Sequence, residues 1–327
     1  MIKATHIIAL ASVMAALTSC INDGLDDCTL DVRFRYVYNM QEADGFAREA
    51  DEVDLYVFDS EKRFVGRHTA TGIDGEGFTM RLPLPSPGRY SFVAWARGTK
   101  ESGEMSHFGI PEIRKGESPE VLTARIRRTG NIASTRQNSL LNGTLEAEVS
   151  GADRHLRIDM MKCTNAIRVI LMPIRAGQNL ISEDYDIRIE GNNGWLAYNA
   201  APYRRDELIY KPHLQRHTVS QKPDTGNPEI DNAVIADLST SRIMYGSNPR
   251  LVVHNRKFNR DILDIDLAWF LSLQAIGEHK AEWSDQEYLD RQDEYAMTFF
   301  IDDTTWLTTY IIVNGWVLSL EDIGLKR

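Results

Sequence analysis

From residue 29 onward, apolar and polar positions alternate in short runs separated by turn residues. Leu30, Val32, Phe34 and Tyr36 alternate with Asp31, Arg33 and Arg35, the period of a strand with one face in a core. The same pattern predicts strands over 53–59, 64–66, 78–84 and 89–96, with turns at Asp59–Lys62 and at Pro85-Ser86-Pro87-Gly88. Further strands are predicted over 121–127 and 140–149, and a second series over 156–160, 166–171 and 185–189. The series continues over 232–244, 249–254, 261–267, 298–302, 307–313 and 316–320, the last two joined by an Asn314-Gly315 turn. Residues 99–120, 128–138 and 194–231 read as connections, the last with fragments of strand. One helix is predicted near residues 284–292, with Ser284 as N-cap and Glu287 three positions on. No internal repeat is visible. The fold class is all-β, and turn-punctuated strands at this spacing predict β-sandwiches.

The first 19 residues break the pattern. Lys3 precedes an apolar run from Ile7 to Leu17, interrupted only by Ser12, which is a secretory signal. The run is too short to cross about 30 Å of hydrocarbon as a helix. Its ending, Leu17-Thr18-Ser19-Cys20, looks like a bacterial lipobox, which implies cleavage before Cys20 and lipidation of that cysteine. Residues 20–28 form an acidic tether. Its Asp23, Asp26 and Asp27 resemble the signal that sends lipoproteins of Bacteroidota to the outer cell face.

Of 327 residues, 308 remain after removal of 19, a length that suggests two domains. The linker Ser150-Gly151-Ala152-Asp153 places them at 29–150 and 151–327. A net charge of −10 argues against a nucleic-acid partner, which needs a basic face. With Cys20 acylated, Cys28 and Cys163 remain as a candidate disulfide, or as two unrelated thiols with Cys163 buried.

Catalytic signatures are missing: the sequence has no Gly-x-Ser-x-Gly elbow, phosphate loop or His-Glu-x-x-His helix. No enzyme activity and no cofactor are expected. His213 and His217 are four apart, but Pro212 and the absence of Glu favour loop histidines over a metal site. Asp261, Asp264 and Asp266 read as a solvated strand face. Trp195, Tyr198 and Tyr203 read as a small satellite core, or else as a glycan platform. Asp303-Thr304-Thr305 resembles an O-glycosylation site of exported Bacteroidota proteins, with Thr304 as acceptor.

Several segments in order resemble one family. They are Cys28, Val32-Arg33-Phe34-Arg35-Tyr36, Val53–Asp59, Leu82-Pro83-Leu84-Pro85, Gly88-Arg89-Tyr90 and Val93-Ala94-Trp95. They continue with Gln286–Tyr295, Thr298–Asp302, Trp306 and Ile311–Trp316. Together they resemble the FimB/Mfa-type fimbrial anchor subunits of Bacteroidales. The resemblance implies two transthyretin-like (Ig-like Greek-key) sandwiches in tandem. It implies an outer-membrane lipoprotein that anchors the base of a fimbrium and limits its length. The partners implied are the major fimbrial subunit (fimbrilin), joined by strand complementation, and outer-membrane lipid through Cys20. An anchor should keep its first strand, Leu30 to Tyr38, so cleavage after Arg48 should be blocked. Trp316, Leu318 and Leu320 are the candidate donor strand, the alternative being the chain's own last edge strand. A surface glycan-binding lipoprotein is the competing function.

Overall fold

The computed structural model describes residues 29–83, 86–98, 107–150, 154–174, 178–218, 232–273 and 282–302, and the backbone of 308–313 and 316–319. Strand β1 (Thr29–Arg35) buries Leu30, Val32 and Phe34 completely. It runs antiparallel to β4 (Thr79–Pro83) and parallel to β10 (His155–Asp159), with Asp31 opposite both Arg81 and His155. Facing this three-stranded sheet is a five-stranded one. Its order runs from β11 (Met161–Lys162) through β9 (Leu140–Val149), β5 (Gly88–Arg97) and β2 (Glu52–Phe58) to β3 (Phe64–Thr71). Val53, Leu55, Val57, Phe92, Ala94 and Ala96 meet the β1 side chains in one core.

The second half repeats this plan. Strand β12 (Thr164–Pro173) runs antiparallel to β17 (Val234–Ser241) and parallel to β20 (Glu294–Ile301). The facing sheet takes β19 (Arg260–Asp266), β18 (Arg250–Asn255), β13 (Tyr185–Gly191) and β15 (Leu208–Tyr210) in that order. Thus β12, β17 and β20 correspond to β1, β4 and β10, while β13, β15, β18 and β19 correspond to β2, β3, β5 and β9. Every corresponding pair has the same sense. A seven-strand topological repeat is therefore present although no sequence repeat is visible. Each strand demands only alternation, and many sequences alternate.

The halves interlock. The boundary placed at 151 is crossed by β10 and β11, which pair with the first half. It is crossed the other way by β8 (Ile132–Ala133), which extends the second half's sheet beside β15. The outer face of the five-stranded sheet carries Tyr56, Phe58, Val93 and Trp95, which belong to the same core as the second half. Between them lies a small sheet of β6 (Phe108–Gly109), β7 (Ala124–Ile126) and β14 (Trp195–Leu196). Because β2 is covered on both faces, its run from Val53 to Phe58 is buried throughout. The carboxylate within that run, Asp54, accepts from Arg67 Nε (2.9 Å), Thr69 Oγ1 (2.6 Å) and Arg97 Nη2 (2.6 Å).

The helix Asp285–Arg291 forms as expected, with Ser284 Oγ accepting from Glu287 N at 3.1 Å. It is not the only one. Short helices also span Phe46–Glu49 and Leu267–Ser272. Asp266 caps the latter by accepting from Trp269 N. The strand read over 261–267 therefore ends one residue early, because that cap turns the apolar run Leu267–Leu271 into a helix. Strand β3 also reaches Thr71 rather than Gly66, an edge strand whose polar residues hide it.

Arg242 joins three elements. Its Nε and Nη2 each lie 2.7 Å from an oxygen of Asp290, and its Nη1 donates to the Ala200 carbonyl at 2.8 Å. Only 13% and 4% of the two side chains are exposed. Asp290→Ala leaves a buried guanidinium unpaired and should cost about 3–5 kcal/mol in urea denaturation. Arg168→Ala, on a half-exposed pair with Asp237, should cost about 1 kcal/mol or less.

Candidate functional site: a held first strand and an edge-bound last strand

The chain leaving β1 is fastened at once. Asp44 Oδ1 accepts from the Tyr36 and Phe46 amides at 3.1 Å each. Asn39 Nδ2 donates to the Tyr36 and Ala43 carbonyls at 2.8 Å. Phe46 is buried and stacks on Phe34 with ring centroids 5.5 Å apart. These bonds close the helical turn Phe46–Glu49 that contains Arg48, a stretch outside the elements predicted from the sequence. The Arg48 side chain is 62% exposed, but its amide is bonded to Gly45 O at 3.1 Å.

Glu49 takes the Ser139 hydroxyl at 2.6 Å and the Lys162 ammonium at 2.8 Å, and Lys162 also reaches Asp293 at 2.5 Å. Burial alone would push the Glu49 carboxyl up, but Lys162 and Ser139 outweigh it and hold it below its usual value. Burial opposes the charge on Lys162, but Asp293 and Glu49 raise its affinity for the proton. A cleft of about 530 Å³ lies beside this triad, lined by Tyr36, Asn39, Arg48, Glu49, Ser139 and Asp293. Nothing in the sequence marked Glu49, Lys162 and Asp293 as partners, since only the fold brings the two halves together there.

At the other end, β21 (Thr308–Val313) pairs with β20, and among the described residues β22 (Trp316–Ser319) pairs with β21 alone. Trp316 faces Val313 and Leu318 faces Ile311 in that ladder. So β22 is an edge strand held on one side by four residue pairs, whereas β1 has five on each side. Cys20, Cys28, Thr304 and Leu320 lie outside the described residues. Cys163 is a buried thiol whose pKa burial pushes up to about 12. It lies just past Met160, whose amide bonds Arg35 O at the C-terminal end of β1. Thr29, next to Cys28, is at the opposite end of that strand, about 20 Å away by strand rise. A disulfide needs its Cα atoms within about 7 Å, so the described residues give a Cys28–Cys163 bridge no support.

The other predicted residues disperse. Asp261 pairs with His254 at 2.7 Å, Asp264 with Arg250, and Asp266 caps a helix. His213 precedes and His217 ends β16 (Leu214–His217), an exposed strand beside β17, so the two are not on a helix. Among the described residues no group of three His, Cys, Asp or Glu could hold a metal. Trp195 is no open platform. The Arg125 and Arg204 guanidiniums lie 4.7 and 5.7 Å from its ring centre, and Tyr203 lies 4.8 Å away. Tyr198 is half-buried against the core, its carbonyl accepting from Asn142.

The architecture is that of two interlocked β-sandwiches, the first strand central in its sheet and β22 at a sheet edge. The chain belongs to the family of fimbrillin-A associated anchor proteins Mfa1 and Mfa2, which it matches over residues 25–322. A provisionally described polysaccharide-binding protein of Bacteroides thetaiotaomicron is 28% identical, with TM-score 0.75, covering 90% of this chain and 98% of that one. A provisionally described adhesin of the same organism is 26% identical, with TM-score 0.76 over 89% and 97%. The fimbrial anchor protein Mfa2 of Porphyromonas gingivalis shares the fold at 19% identity, with TM-score 0.67 over 89% and 98%. No curated protein matches the chain. The family is one of structural, cell-surface proteins. Among the described residues no helix is long and apolar enough to cross a membrane.

Two outcomes test the clamp around Arg48. Under native conditions an Arg-specific protease should leave the Arg48–Glu49 bond intact, and Phe46→Ala, which empties a core site, should speed its cleavage at least tenfold, read by mass spectrometry. Glu49→Gln should lower stability at neutral pH. Because the Glu49 carboxyl is held below its unfolded value, its contribution is present above that value and lost as pH falls through the folded one. The gap between Glu49→Gln and the unaltered protein should therefore close on acidification, as followed by denaturation at stepped pH.

Proposed function

We propose that this chain is a lipoprotein, acylated at Cys20 on the outer face of the outer membrane, that seats the base of a fimbrium and limits its length. The family match over residues 25–322 carries the reading. The contrast between the two terminal strands supports it. An anchor must not release the strand that leads to its lipid, and β1 is paired on both sides and followed by the Asp44, Phe46 and Glu49 fastenings. The strand it offers must leave at modest cost, and β22 has one neighbour. In this reading β22 swings from its own sheet edge and fills a groove in the major fimbrial subunit. Main-chain hydrogen bonds give the affinity, while Trp316, Leu318 and Leu320, all of one parity, set the register. Glycan stacking on Trp195 and Tyr198 is the weaker reading, because guanidiniums and core packing already occupy those rings.

The test is a photoreactive residue in place of Leu318, irradiated on intact fimbriated cells. The expected product is a crosslink to the major fimbrial β-sandwich subunit that disappears when residues 316–327 are deleted. If the protein is present at the surface and no such product forms, β22 is not the donor. If deleting the whole protein also leaves fimbrial attachment and length unchanged, the anchor reading is lost.

A further inference from the structure

Positive charge gathers on one surface of this acidic chain. Strand β7 turns Ala124 and Ile126 inward and exposes Arg125, and Arg127, the first residue past the strand, is also exposed. The Arg127 amide donates to His107 O at 2.6 Å, which carries the β6–β7 pairing one residue further and sets the Arg125 and Arg127 backbones about 7 Å apart. Strand β14 lies antiparallel to it with Trp195 opposite Arg125. Arg204 comes in from the following loop, 5.7 Å from the Trp195 ring centre and 5.1 Å from that of Tyr203. Arg128 lies 2.7 Å from Asp206 Oδ1, an oxygen that also accepts from Arg125 at 3.1 Å.

Asp206 is nine-tenths buried, so it fixes Arg125 and Arg128 from beneath. It is one carboxylate against four guanidiniums. The adjacent Arg205–Glu207 pair, at 3.0 Å, cancels within itself. Among the described residues, Arg127 and Arg204 pair with no carboxylate. That is unusual in this chain, where Arg67, Arg97, Arg168, Arg188 and Arg242 all meet acids. Guanidiniums gathered on one surface repel one another and act together on an incoming anion. The Arg125 and Arg204 guanidiniums lie over the Trp195 ring and Arg204 also over Tyr203, with Arg125 Nη2 given to Asp206 and the other guanidinium N–H groups left to donate.

We propose that this surface binds an acidic polysaccharide, its carboxylates taken by Arg125, Arg127 and Arg204. A sugar acid brings a planar carboxylate that matches a guanidinium in two parallel hydrogen bonds, repeated along an extended chain. Arg125 on β7, Arg127 just past it and Arg204 on the loop are all exposed, and an extended polyanion meets several such groups better than a single ion does. This inference is independent of the fimbrial reading, since it uses no residue of β1, β21 or β22.

The test is binding of the full chain, purified from cells, to polygalacturonate at low ionic strength. Neutral dextran, poly-glutamate and phosphatidylglycerol vesicles serve as comparisons. The expected result is binding to polygalacturonate that weakens as salt rises, with none to dextran. Arg127→Ala with Arg204→Ala should weaken it at least tenfold at unchanged melting temperature. Arg81→Ala with Arg157→Ala, on β4 and β10, should change it less than twofold. The proposal is overturned by no binding to polygalacturonate, or by equal losses in the two double variants, which would make net charge the cause. Equal or tighter binding to poly-glutamate would assign the surface to an acidic protein, and binding to vesicles alone would assign it to lipid headgroups. Either result also rejects the proposal.

Discussion

Burial of the five-stranded sheet on both faces is the constraint on which the rest of the molecule depends. One face meets β1 through Val53, Leu55, Phe92 and Ala94, and the other meets the second half through Tyr56, Phe58, Val93 and Trp95. A sheet covered on both sides keeps water from its middle, so a buried charge there is costly without fixed partners. Asp54 meets that demand with two arginines and a threonine. The covering small sheet, β6-β7-β14, draws strands from both halves. Separating the halves would therefore expose Trp95 and Phe58 together. The two sandwiches share a topology but not independence.

That coupling explains why the two ends of the chain differ. β1 lies inside the first sandwich with neighbours on either side, so its release would open the core that includes Leu30, Val32 and Phe34. The turn beyond it is tied to the second half by Lys162, which spans Glu49 and Asp293. Arg291 adds a second tie, lying 4.4 Å from the Tyr38 ring centre and 4.5 Å from that of Trp283. β22, by contrast, extends a sheet that is already complete without it, because β12, β17 and β20 reproduce the three-stranded sheet of the first half.

Much of the strand order was legible because a half-buried strand writes its period into the sequence. β1, β4, β10 and β13 all alternate where expected. The capped helix at Asp285 was legible because Ser284 and Glu287 stand at the required spacing. The topological repeat was not, since pairing order leaves no trace in residue identity. Nor was the helix Leu267–Ser272 read, as its buried residues Leu267, Ala268, Phe270 and Leu271 continue an apolar run. At the candidate site, the two terminal strands could be named from sequence, but the Glu49–Lys162–Asp293 triad could not. The charged surface was hidden in another way. Arg125, Arg127 and Arg128 are adjacent in sequence, yet Arg204 and Trp195 join them only through the pairing of β7 with β14.

The same geometry sets how a pull on the chain would travel in the fimbrial reading. Tension entering at the last strands passes from β21 to β20, and β20 is bound to β12 along Ala166–Pro173 in a parallel ladder. From β12 the path runs through covalent chain, by Cys163 and Met160, to β10, and β10 is bound to β1 in a second parallel ladder. In a parallel ladder pulled along its strands, the hydrogen bonds share the load and must give way together. Peeling an edge strand breaks them one at a time. Among the described strands on this route only β22 can be peeled, because there it has a single neighbour and stands outside the repeated unit. Once β22 is seated in a partner's groove that weakness is removed, and the line from the partner to Thr29 consists of covalent chain and shared ladders.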